Sequence, residues 1–199
     1  MFLPMTADSG DWLNMKQNAF QSMLVVGVED GSFQKGITQK TVLVAVLLKR
    51  QILEDVRITD ILVDGLDATK KLIKILDKWT FNVIFLAGIS FAGFNVVDPE
   101  KIHRRFKKPV IVVTRTKPNN MAVKRALCRH FKDWETRWDT FKKLGPFHET
   151  ITSFGKQPIY VAIIGGNIRW ACKLVRALSI CGRIPEPLRV ARLIARGLS

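Results

Sequence analysis

The chain has 199 residues, 47% of them apolar and 25% charged, which excludes a disordered chain and predicts one domain large enough to bury its own core. Its apolar runs are too short to cross a bilayer, so no membrane partner is expected. The opening segment carries Asp8 and Asp11 where a secretory signal would be basic and then apolar, so a cytoplasmic location is expected.

Residues 23–27 are an apolar run with β-branched members that leads into Glu29-Asp30-Gly31 and reads as a first strand. Residues 41–48 and 52–63 continue the β character across the turn Lys49-Arg50-Gln51, which predicts an antiparallel meander. Leu72, Ile73, Leu76 and Trp79 then repeat at helical spacing behind Asp67, a suitable N-cap. A buried strand follows over 82–86, and Asp98-Pro99 opens a short helix with the acid as cap. Residues 109–114 are a further strand, 119–131 and 133–144 two helices, 159–164 a last strand, and 168–180 a helix closed by Gly182. The terminal helix over 187–196 carries Arg189, Arg192 and Arg196 along one edge. Three antiparallel strands followed by alternating strands and helices give the order of a ribonuclease H-like domain. The expected class is α/β, with a mixed sheet of five to six strands flanked by helices.

The net charge of +15 is unevenly spread. Residues 101–145 hold fourteen Lys and Arg against three acids, and residues 165–199 hold seven against one. The remainder is nearly neutral. A polyanion partner is the expectation, set against a merely solvated basic surface. The three cysteines lack metal or disulfide spacing; Cys128 and Cys172 are expected in the core and Cys181 at the surface.

Two acidic clusters follow apolar strands: Glu29-Asp30 before Gly31, and Asp64-Gly65-Leu66-Asp67. Carboxylates gathered at strand ends make a cation site, and a bound divalent ion activates water against a phosphodiester. The plain alternative is that acids before glycine are turn residues and Asp67 a cap. Ala87 stands where such a site would want another acid. In the loop after it, Phe91 and Phe94 could offer stacking faces and Asn95 could read a base edge, or the rings could pack in the core. Phe33 carries the same two readings. Arg115 and Lys117 follow a strand and are placed to hold a phosphate. Arg104, Arg105, Lys107 and Lys108 form a compact basic segment suited to backbone contacts, or a solvated helix end. Arg189, behind Pro185-Glu186-Pro187, is a further candidate. Trp134 and Trp138 share one helix face.

Five collinear motifs resemble the archaeal endonuclease dU family, itself distantly similar to endonuclease V. They are Gly27-Val28-Glu29-Asp30-Gly31-Ser32-Phe33, Val63-Asp64-Gly65-Leu66-Asp67-Ala68-Thr69, Gly93-Phe94-Asn95-Val96-Val97-Asp98, Pro109-Val110-Ile111-Val112-Val113 and Gly182-Arg183-Ile184-Pro185-Glu186-Pro187-Leu188-Arg189-Val190-Ala191. The resemblance implies a single domain over 21–199 behind an N-terminal extension, 1–20, whose order the sequence leaves open. It also implies a ribonuclease H-like fold and metal-dependent cleavage of DNA carrying deaminated bases, notably uracil; the expected partner is DNA, deaminated or single-stranded. By motif, Glu29, Asp30, Asp64 and Asp67 would be catalytic acids holding Mg²⁺, or Mn²⁺ in its place.

Two positions depart from the family pattern: Glu29 replaces a usual Asp, and Ala87 stands where the family carries Asp before Gly88. The expected activity is therefore that of a weakened endonuclease. The alternatives are a family member that binds nucleic acid without cutting it, and a subunit whose basic face docks an acidic protein. The sequence leaves the oligomeric state open.

Overall fold

The computed structural model describes residues 22–199; the segment 1–20 lies outside the described residues. Strands β1 (Leu24–Asp30), β2 (Lys40–Lys49) and β3 (Ile52–Leu62) form the antiparallel meander. Helix α1 (Ala68–Leu76) crosses over to β4 (Val83–Leu86), which lies parallel to β1. A small hairpin of β5 (Ser90–Phe91) and β6 (Asn95–Val96) precedes α2 (Pro99–Phe106), and β7 (Val110–Thr114) lies parallel to β4. Helices α3 (Asn120–His130) and α4 (Trp134–Lys143) lead to β8 (His148–Thr150) and β9 (Ile159–Ile164), and α5 (Ile168–Leu178) and α6 (Glu186–Gly197) end the chain.

The main sheet has seven strands in the order β3-β2-β1-β4-β7-β9-β8. One more strand is present than the sequence predicts because β8, three residues long, pairs with β9 at the sheet edge. So short a run carries no periodicity of its own.

Alternation along the central strands builds two cores. Val26 and Val28 of β1, Ile84 and Leu86 of β4, and Val110 and Val112 of β7 pack with Leu72 and Leu76 of α1 and Ile102 of α2. Val25, Val83, Phe85, Ile111 and Val113 face the other way, onto Leu174 and Val175 of α5 and Leu188 of α6. Strands apolar on both faces need cover on both, and the helices supply it. Helix α6 also lays Ala191 and Ala195 on Val44 and Val46 of β2. Its close approach depends on Gly27: a Cβ there would run into the carbonyl of Pro187. The two motifs containing Gly27 and Pro187 are thus halves of one packing contact.

Trp134 and Trp138 are half-buried on α4, with the Lys124 ammonium of α3 over both rings at 5.8 and 5.9 Å. Cys128 is exposed, not in the core, because α3 buries only Leu127 of its length. No helix among the described residues is long and apolar enough to cross a membrane.

Candidate functional site

The parallel strands β1, β4 and β7 end at the same edge of the sheet, the edge at which open α/β sheets take their ligands. Continuing the alternation past each strand places Glu29, Ala87 and Arg115 toward the α5–α6 side, where they line one cavity of about 240 Å³ with Thr114, Leu188 and Arg192. Ala87 is held in register by its N–H, which donates to the Val28 carbonyl at 3.2 Å. Burial pushes the Glu29 carboxyl up to about 8, repulsion from neighbouring Asp30 adds to this, and the Arg192 charge opposes it. Burial also lowers the pKa of Arg115, and the nearby guanidiniums of Arg192, Arg183 and Arg196 lower it further against the pull of Glu29. The cleft is therefore a cluster of cations around one carboxyl group that favours its neutral form.

The other three acids predicted as ion ligands hold loops. Asp30 Oδ2 accepts from the Ala92 N–H at 2.6 Å. Asp64 sits in the left-handed region at φ 56° and accepts from the Phe94 N–H at 2.8 Å. Gly93 is needed beside it, both for its φ of 83° and because a Cβ would collide with the Asp64 carboxylate. Asp67 occupies the N-cap position of α1, but its side chain makes no capping hydrogen bond. Its Oδ1 accepts instead from the Leu62 N–H at 3.2 Å and from Asn95 Nδ2 at 2.6 Å. The capping role falls to Asn95, whose Oδ1 accepts from the Ala68 N–H at 2.9 Å.

Arg137, 5% exposed, closes this assembly from α4. Its Nη1 donates to the carbonyls of Gly65 and Phe94 at 2.9 and 2.6 Å, while Nε and Nη2 grip Asp133. Sequence reading missed Arg137, because nothing local marks one arginine among fourteen cations as buried.

Among the described residues, no three His, Cys, Asp or Glu side chains are grouped to hold a metal ion. Asp64 and Asp67 each commit Oδ1 to N–H donors, Ala87 offers no oxygen, and the acids are not gathered at one point, so this donor set does not fit a two-ion centre.

Several candidate nucleic-acid contacts require correction. Phe91 is fully buried and cannot stack on a base. Asn95 is also fully buried, and its Nδ2 donates to the Leu62 carbonyl as well as to Asp67, which leaves no group to read a base edge. Phe94 packs edge-on against Phe131 at 5.6 Å. Arg189 is held by both oxygens of buried Glu186, at 2.6 and 2.7 Å. Arg104 pairs with Glu100, and Arg105 with Asp77.

Arg104, Arg105, Lys107 and Lys108 precede β7, whereas Arg115 follows it. The strand separates that basic segment from the cleft by roughly 20 Å. Phe33 is half-buried beside a different cavity, with Lys40 and Ser199. Of the predicted nucleic-acid residues, Arg115 lines the strand-end cleft, and Lys117 is exposed in the loop that follows it. Arg192 joins them from α6, where its place on the arginine edge was the legible signal.

A second cavity, of about 190 Å³, adjoins the cleft through shared Thr114. Its walls are mostly apolar, with Phe141 and Phe147 among them, and Ser90 and Asn120 add polar groups.

The endonuclease dU family profile matches residues 21–199, and the chain belongs to that family. It is 36% identical over 179 residues to a UPF0215 protein of Methanosarcina acetivorans, covering 87% of this chain and 89% of the relative. It is 39% identical over 179 residues to a UPF0215 protein of Thermococcus gammatolerans, covering 86% and 89%. Among solved structures, a protein of unknown function from Archaeoglobus fulgidus superposes with a TM-score of 0.76 at 34% identity, over 87% of this chain and 96% of that one. Endonuclease V of Ciona intestinalis, in complex with DNA containing an inosine, superposes with a TM-score of 0.59 at 16% identity, over 97% and 98%. At that identity the likeness concerns the fold, which is ribonuclease H-like.

Proposed function

We propose that this protein acts on DNA carrying deaminated bases, uracil foremost, at the strand-end cleft, and that its hydrolysis of the phosphodiester is weak because position 87 has no carboxylate. The reading is supported by family membership, by a cation-lined cleft at the ligand-taking edge of the sheet, and by the adjoining apolar cavity, which suits a base turned out of its stack. The observation that carries it is the meeting of Glu29, Ala87, Arg115 and Arg192 around one cavity.

Cleavage of a uracil-containing oligonucleotide by wild type and by Ala87→Asp, in Mg²⁺, in Mn²⁺ and in EDTA, tests it. The expected outcome is near-background cleavage by wild type and a gain of at least about tenfold for the variant with a divalent ion present. A variant that still binds the strand but gains nothing in either ion would replace this reading with that of a non-cleaving, DNA-binding member of the family.

A further inference from the structure

We propose that the strand-end cleft is a metal-independent oxyanion site, in which the guanidiniums of Arg115 and Arg192 together take a phosphate group with no ion held by the acids beside them. The phosphate of a DNA strand is its natural source, which rests on the function proposed above.

Arg115 follows directly on β7, whose residues 111 and 113 pack into the α5–α6 core, and the same alternation carried one residue past the strand places it at the cleft. Arg192 is fixed by α6, pinned to β1 at Gly27 and to β2 through Ala191 and Ala195. Both line the 240 Å³ cavity. Among the described residues, neither guanidinium makes a hydrogen bond or an ion pair. The other arginines nearby are engaged: Arg196 with Ser32 Oγ at 2.6 Å, Arg183 with the Pro158 carbonyl at 3.5 Å, and Arg189 with Glu186. Two unpartnered forks beside two further cations repel one another, and an anion between them relieves that repulsion. A guanidinium presents paired, coplanar N–H groups that match two oxygens of a phosphate. Ala87 contributes only a methyl group, so no carboxylate from β4 competes for the space, and Glu29 is the one acid in the lining.

Binding of a short fluorescein-labelled single strand, measured in EDTA and in Mg²⁺, tests the site. The affinity is expected to be the same in both. Arg115→Ala with Arg192→Ala is expected to weaken it by at least about tenfold, and the Arg→Lys pair by an intermediate amount, since charge remains while the fork is lost. Lys49→Ala, at the opposite end of β1 by register, is expected to change it less than about twofold. Removing the two guanidiniums relieves repulsion, so the melting temperature of the Ala pair should hold or rise, which separates lost binding from lost folding.

Inorganic phosphate, tested as a competitor of the strand, identifies the group recognised: competition in wild type that vanishes in the Ala pair supports a phosphate site. Binding that disappears in EDTA, or that survives unchanged in the Ala pair, would overturn the inference. A gain of cleavage by Ala87→Asp alongside either of those results would overturn this inference alone and leave the proposed function standing.

Discussion

Glu29 is the residue in which the conflict within the cleft is most concentrated. A carboxyl raised from an ordinary 4.5 to about 8 binds its proton more tightly folded than unfolded. Its contribution to stability is therefore most favourable below pH 4.5 and is lost as pH climbs toward about 8. Glu29→Gln should melt with wild type at pH 4 and progressively above it from there to pH 8, after which the gap should level off. Melting curves across that range check this; a gap that shrinks with rising pH would mean that Arg192 dominates the Glu29 environment. Asp64 and Asp67 show the opposite use of a carboxylate, as acceptors for the N–H groups of neighbouring loops and of Asn95. A sequence displays the same Asp-Gly and helix-entry signals for either use, and only the position of Asn95 and the 92–94 backbone decides between them.

At the level of elements, α6 is what turns a sheet edge into a cleft. It crosses β1 at the one residue without a side chain, and that contact sets where Arg192 lies. Gly27→Ala should cost about 1–3 kcal/mol in chemical denaturation, because a Cβ meets backbone that has nowhere to move. It should also weaken DNA binding by displacing Arg192. Unchanged stability would mean that α6 is free to shift.

Most elements were legible from periodicity, since the central strands are apolar on both faces and the helices are amphipathic over two or more turns. The last long strand falls at 159–164 as read from the sequence. Only the two-residue strands of the β5–β6 hairpin and the three-residue β8 escaped, being too short to show a period. The site was less legible, because it depends on which end of β7 a basic residue occupies. Composition alone weighs Lys107 and Arg115 equally.

For the whole molecule, a net charge of +15 guarantees attraction to a polyanion but does not say which surface receives it. The basic segment around Lys107 and Lys108 and the guanidinium cleft lie at opposite ends of β7, so the two surfaces make separable claims. The most direct test follows the arginine side-chain Nε–H signals by NMR while a short single strand is added in EDTA. Shifts at Arg115 and Arg192 at concentrations that leave Arg104 and Arg105 unmoved are the predicted result. Shifts confined to Arg104 and Arg105, with the cleft arginines still, would contradict the account.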